Sequence, residues 1–265
     1  MIKNGCVKID NTDMYYVACG TGKKNLVVLP GLSDGLTTVK GKAFMMSRTF
    51  KKFLNSFTVY VFSRKEQMPE DYTIEQMADD QVNAMKQLGI DKASILGVSQ
   101  GGMIAQCIAI NHPEVLDKLI LGVTSSWANE TVKKSVSSWI EMANKGDYVL
   151  LMKDTAEKMY SRDYLDKYGK LVPILAYFTK PKSYERFLKN AKAILKFDVR
   201  NELNSITCPT FIIAGDSDKT IGNDAQNELS AGINNSELYV YEGLGHGLYD
   251  EAKDFYDRIY GFCLK

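Results

Sequence analysis

The chain has 265 residues, 45% apolar and 25% charged, with 33 basic against 32 acidic side chains and a net charge of +1. A chain of this length buries enough surface to fold without disulfides, and its charge lacks the basic excess of a nucleic-acid binder. No apolar run approaches the roughly 20 residues of a membrane-spanning helix; even Ile206–Ala214 is interrupted by Thr207 and Pro209. The opening MIKNGCVKID has no apolar core of the signal-peptide kind. The expectation is a cytoplasmic protein with no nucleic-acid partner and no membrane span.

Five cysteines, Cys6, Cys19, Cys107, Cys208 and Cys263, are widely spaced with no C-x-x-C. An odd, scattered set predicts reduced core thiols rather than a disulfide framework or a zinc site. The only histidines are His112 and His246.

In chain order, Val7–Ile9 and Met14–Ala18 predict two strands joined in a hairpin at Asn11–Asp13. Leu26–Leu29, closed by Pro30-Gly31, has the continuous apolar character of a strand buried on both faces. Helical character around Phe44–Leu54 is followed by an apolar run at Thr58–Phe62. Thr73-Ile-Glu-Gln76 has the form of a capping box, and the helix behind it should stop at Gly89. A strand at Ser94–Val98, a helix at Gln100–Asn111 and a strand at Leu116–Val123 come next.

From about 125 to 200 the pattern is helical, rich in Tyr, Trp, Met and Lys, with no convincing strand. Alternation then resumes with a strand at Thr210–Ala214, a helix at Ala225–Ala231, a strand at Glu237–Tyr241 and a helix at Ala252–Cys263. Strand–helix alternation on both sides of a helical insertion predicts an α/β fold, a mostly parallel central sheet with helices on both faces. The core would comprise 1–124 and 201–265, with 125–200 as an inserted subdomain.

The segment Gly97-Val-Ser99-Gln-Gly101 stands where a strand turns into a helix. A sharp turn there exposes the Ser99 hydroxyl above the sheet, and Gly97 and Gly101 remove Cβ atoms that would collide. The helix N-terminus beside Ser99 favours developing negative charge. A serine hydroxyl needs an adjacent base. His112 lies at the far end of a helix roughly 18 Å long, so it is expected to cap that helix. His246, in Gly243-Leu-Gly-His246-Gly, follows a strand whose C-terminal end opens on the same sheet edge as Ser99. His246 is therefore the candidate base. Gly215-Asp216-Ser217-Asp218 follows another strand, and either aspartate could complete a Ser-Asp-His order.

These segments resemble the α/β-hydrolase superfamily over essentially the whole chain. Ile-Leu-Gly-Val-Ser-Gln-Gly-Gly is similar to its nucleophile elbow, Ile-Ala-Gly-Asp-Ser-Asp-Lys-Thr-Ile to its acid loop and Gly-Leu-Gly-His-Gly to its histidine loop. The resemblance implies Ser99 as nucleophile, Asp218 as acid, His246 as base and residues 125–200 as a helical cap. It also implies an oxyanion loop at Leu29-Pro30-Gly31-Leu32-Ser33, with the backbone N–H groups of Leu32 and Gln100 as donors. Many members have His-Gly where this chain has Pro30-Gly31, so the loop must be braced differently.

The cap aromatics Trp127, Trp139, Tyr148, Tyr160, Tyr164, Tyr168, Tyr177, Phe178 and Phe187 are candidates for the pocket wall or for cap packing. Its lysines, from Lys133 to Lys196, predict a solvated face, with a preference for anionic substrates as the alternative. The sequence holds no phosphate-binding loop, H-E-x-x-H or dinucleotide fingerprint, and one histidine near the site cannot build a His-based metal cluster. The expected activity is cofactor-free hydrolysis of a small carboxylic ester, thioester or lactone. The same three residues also serve C–C hydrolases, aminopeptidases, perhydrolases and slow ligand sensors, which fold analogy does not separate.

Overall fold

Eight strands form one sheet in the computed structural model, which describes residues 1–265. They are β1 (Ile2–Ile9), β2 (Thr12–Gly20), β3 (Lys24–Leu29), β4 (Phe57–Phe62), β5 (Ala93–Val98), β6 (Leu116–Gly122), β7 (Thr210–Gly215) and β8 (Ser236–Tyr241). Their spatial order is β1-β2-β4-β3-β5-β6-β7-β8. β1 and β2 pair antiparallel, as do β2 and β4, and every later pairing is parallel. The helices are α1 (Ala43–Thr49), α2 (Ile74–Gln87), α3 (Gln100–Asn111), α4 (Glu130–Asn144), α5 (Tyr148–Met159), α6 (Arg162–Tyr168), α7 (Val172–Thr179), α8 (Glu185–Leu195), α9 (Ala225–Gly232), α10 (Leu248–Glu251) and α11 (Phe255–Leu264).

Alternate residues of the apolar strands feed opposite faces. Val27, Leu29, Ile95, Leu119, Leu121 and Ile212 join one core with α2 and α3. Leu26, Val28, Leu96, Ile120, Phe211 and Ile213 join the other with α1 and α11. Both faces are covered, which is why these strands carry no polar alternation.

Local signals operate as expected at several points. The Thr73 hydroxyl accepts from Gln76 N at 3.2 Å, Gln76 Oε1 accepts from Thr73 N at 3.0 Å, and α2 follows. Several boundaries differ: β1 begins at Ile2, ahead of the expected Val7, and α1 ends at Thr49, short of Leu54. The hairpin turn is Asp10-Asn11, with φ of 47° and 63°, because Thr12 and Asp13 already pair with Ile9 and Lys8. Asp and Asn tolerate the left-handed pair of angles a two-residue hairpin loop requires. The final helix, expected from Ala252, begins only at Phe255 as α11, because Ala252 is extended at φ −80°, ψ 112° where it ends the short α10. Glu251 there accepts from Ser161 N at 3.1 Å, and Asp254 accepts from the Tyr241 hydroxyl at 2.8 Å, so the joint is held from both sides.

Between β6 and β7 the chain makes α4 to α8 and no strand. An isolated antiparallel bridge pairs Trp127 with Asp198. Ala128 N donates to Phe197 O and Val199 N to Ser126 O, both at 2.9 Å, so the chain leaves and rejoins the sheet layer side by side. All five cysteines are free thiols. Cys19, Cys107 and Cys263 are core residues whose burial pushes their thiols up, whereas Cys6 is exposed, contrary to the expectation of a core position.

Candidate active site

β5 ends at Val98 and α3 starts at Gln100, leaving Ser99 alone at the corner with φ 55° and ψ −121°. A non-glycine residue in such a region stores on the order of 1–3 kcal/mol of strain. Ser99 is held by its N–H on Gly122 O at 2.9 Å and by Thr124 Oγ1 donating to its carbonyl at 2.8 Å. A Cβ on Gly97 would stand 2.4 Å from Gly101 O, and one on Gly101 would stand 1.9 Å from Leu29 O. The turn closes only with both glycines, and the second lets the end of β3 lie against it.

His246 follows β8 on a loop pressed from above by the end of α5. A Cβ on Gly245 would meet Met159 O at 2.7 Å, and one on Gly247 the Tyr160 ring at 2.4 Å. Gly247 N donates to Met159 O at 2.8 Å. The glycines flanking His246 therefore exist because the insertion packs directly on this loop. His246 is buried, with Nε2 at 2.9 Å from Ser99 Oγ and Nδ1 at 2.8 Å from Asp218 Oδ2. In the tautomer this pairing selects, Nδ1 donates to the carboxylate and Nε2 accepts from the hydroxyl.

The two candidate aspartates take different places. Asp218 is buried, and its Oδ1 accepts from Thr220 N at 2.8 Å and Ile221 N at 3.0 Å while Oδ2 faces His246. Asp216 is exposed, and its Oδ1 accepts from Gly243 N at 2.8 Å and the Ser217 hydroxyl at 2.9 Å. His112 stands at the far end of α3, bonded to Asp79 Oδ1 at 2.7 Å.

The Gly31 loop lies over the serine: a Cβ on Gly31 would stand 3.2 Å from Ser99 Cβ and 3.7 Å from its Oγ. Leu32 opens a short 3-10 turn, Leu32–Gly35, and Gln100 opens α3, so both N–H groups stand at helix starts without an intrahelical acceptor. Neither donates to another protein group.

Three charged residues that sequence reasoning missed brace this loop from behind. The buried Asp34 carboxylate accepts from Arg64 N at 2.9 Å and Arg186 Nη2 at 3.2 Å. Arg186 also donates to Asp34 O at 2.9 Å and Arg64 O at 3.0 Å. The Arg64 side chain is enclosed, and its Nη2 donates to Gln100 Oε1 at 3.1 Å, while Gln100 Nε2 donates to Asn190 O at 2.9 Å. Burial lowers the pKa of the Arg64 guanidinium, and Asp34 opposes that. The network ties the loop to the end of β4, to the elbow and to α8, and it answers how a Pro30-Gly31 loop is held. The partners are separated by 30 and 152 positions, so no local spacing announces them; the one signal is an arginine two residues past the apolar strand β4.

A cavity of about 540 Å³ opens beside Ser99 and His246. Trp139, Tyr148, Tyr160, Tyr164, Tyr168 and Phe187 contribute to its wall. The other three aromatics do not. Trp127 lies under the Arg200 guanidinium at 3.8 Å, and Tyr177 and Phe178 face solvent. No Lys, Arg, Asp or Glu lines the cavity. No three His, Cys, Asp or Glu side chains gather in a way that would hold a metal ion.

A mostly parallel sheet with a strained serine at a strand-to-helix corner defines an α/β hydrolase fold. Residues 60–253 match the family described as alpha/beta hydrolase fold, and the chain belongs to that family. The 2-hydroxy-6-oxononadienedioate/2-hydroxy-6-oxononatrienedioate hydrolase 1 of Pseudomonas putida is 25% identical over 96% of this chain and 93% of its own. The mouse serine hydrolase BPHL is 24% identical over 96% of this chain and 83% of its own. Among solved structures, the enol-lactonase of Burkholderia xenovorans has the same fold, with a TM-score of 0.85 at 19% identity, covering 98% of this chain and 100% of the other.

Proposed function

We propose that this protein is a serine hydrolase of carboxylic esters, thioesters or lactones with an uncharged acyl part, the acyl part lying in the cavity beside Ser99. The observation that carries the reading is the unbroken Asp218–His246–Ser99 chain of contacts, 2.8 and 2.9 Å long, opening on that cavity. Ser99 Oγ attacks the carbonyl carbon as His246 Nε2 takes its proton, and Asp218 stabilises the imidazolium that forms. The carbonyl oxygen, now an anion, rests on the N–H groups of Leu32 and Gln100. Collapse expels the alcohol or thiol, protonated by His246, and leaves an acyl ester on Ser99. Water, deprotonated by His246, then releases the acid. Residues 125–200 act as a cap that walls the acyl site.

The cavity's chemistry favours this over cleavage of a dicarboxylate of the kind the Pseudomonas putida relative's name denotes. An acyl part bearing a second carboxylate would be desolvated against apolar walls with no cation to pair it, which costs several kcal/mol. The reading is tested by turnover of p-nitrophenyl esters together with fluorophosphonate labelling. Wild type should turn over and be labelled at Ser99, and Ser99→Ala should do neither. Labelling that survives in Ser99→Ala would remove this serine from the reaction.

A further inference from the structure

Six of the thirteen large apolar side chains exposed on this protein lie between residues 168 and 178. Tyr177 and Phe178 are 75% and 78% exposed, and Leu171, Ile174 and Leu175 are half exposed or more. They belong to α7 and the turn before it, where only Ala176 of the helix is buried. Soluble surfaces rarely concentrate apolar area in this way unless something covers it.

Charge decides what fits there. The stretch from 167 to 182 carries Lys167, Lys170, Lys180 and Lys182 and no acidic residue. All four lysines are exposed, and none of them is among the ion pairs of the fold. A second copy of the chain, related by a two-fold axis, would bring the two lysine rims face to face. An anionic surface would be attracted by the same rim.

The third observation is continuity. Leu171 and Leu175 are exposed and also line the cavity beside Ser99, together with Val172, Ala176 and Thr179. One helix thus presents apolar area outward and walls the acyl site inward. At eight residues it is about 12 Å long, far too short to cross a bilayer but suited to lying in the headgroup region.

We propose that α7 and its lysine rim dock this protein on the surface of a bilayer containing anionic phospholipid, with Tyr177 and Phe178 inserted among the acyl chains. Docked in this way, the cavity mouth faces the lipid, and apolar acyl substrates pass to Ser99 along Leu171 and Leu175. The passage of substrate rests on the hydrolase reading above. The docking does not.

The test is co-sedimentation of Ser99→Ala protein with vesicles of phosphatidylglycerol and phosphatidylcholine, or of phosphatidylcholine alone. Using this variant separates docking from turnover, so a failure of one reading leaves the other standing. Binding to the anionic vesicles should be at least about tenfold tighter than to the neutral ones, and high salt should remove that advantage. Adding Tyr177→Ser and Phe178→Ser should abolish sedimentation, and replacing the four lysines by glutamine should leave only the weak neutral-vesicle level. In a background with Ser99 intact, the Tyr177→Ser/Phe178→Ser variant should hydrolyse a soluble short ester like wild type, which shows it folded. No binding to anionic vesicles, or binding that survives the double substitution, overturns the proposal. So does a dimer that the double substitution dissociates while vesicles stay unbound, because a second copy would then own this face.

Discussion

Asp216 Oδ1 accepts the Gly243 N–H at 2.8 Å, so the aspartate two residues before Asp218 holds the loop that carries His246 and does not touch the imidazole. The loops after β7 and β8 are further interlocked by Ser217 N on Leu244 O at 3.0 Å, and a Cβ on Gly215 would stand 2.1 Å from that same carbonyl. One aspartate faces the ring; the other sets where the ring's loop lies.

Asparagine substitutions should separate these two roles. Asp218→Asn favours the wrong imidazole tautomer and should lower kcat by about 10⁴ on a p-nitrophenyl ester. Asp216→Asn keeps an oxygen able to accept from Gly243 and should lower kcat by less than about tenfold. Both variants are checked for folding by circular dichroism before comparison. An Asp216→Asn protein ten times worse than Asp218→Asn would reverse the assignment.

The two histidines should differ as sharply. His246→Gln removes the only base in reach of Ser99 and should cost on the order of 10⁴ or more in kcat. His112→Gln loses a partly exposed contact with Asp79 at the other end of α3 and should keep kcat within about twofold. Steady-state rates on the same ester decide it, and loss of activity in a folded His112→Gln protein would be incompatible with the site described.

Asp34→Asn should act on both stability and rate. It leaves the enclosed Arg64 and the neighbouring Arg186 without their carboxylate. Breaking a buried charge pair on one side typically costs about 3–5 kcal/mol, to be read from chemical denaturation midpoints. In the protein that remains folded, the loop carrying Leu32 loses its brace, so kcat should fall by up to about 10²–10³, the worth of one oxyanion donor. KM should change much less. A rise in KM at unchanged kcat would mean that the network shapes ground-state binding instead.

Acyl charge should govern selectivity. A p-nitrophenyl butyrate and the corresponding succinate monoester differ by one terminal carboxylate, for which the cavity has no cation. The neutral ester should be favoured by at least about 10² in kcat/KM, given the several kcal/mol cost of an unpaired buried charge. Equal rates for the two would show that the acyl part lies outside this cavity.

Much of this protein was legible in one dimension because the signals are local. Continuous apolar runs marked β3 and β5 to β7, the Thr73–Gln76 pair marked the start of α2, and the glycines around Ser99 marked a corner where a Cβ collides with neighbouring backbone. Each depends on residues a few positions apart, whose geometry the backbone dictates. Spacing along the chain left Asp216 and Asp218 both open, and the family resemblance pointed to Asp218; the fold sets Asp218 against His246 and turns Asp216 to Gly243 N. Tertiary structure alone assembled Asp34, Arg64 and Arg186, whose attraction acts across 30 to 152 positions of chain. It also separated the insertion's aromatics into those lining the cavity and those facing solvent. Helical spacing says that a side chain shares a face with its neighbours three and four positions away; what that face is turned toward depends on packing against the rest of the fold.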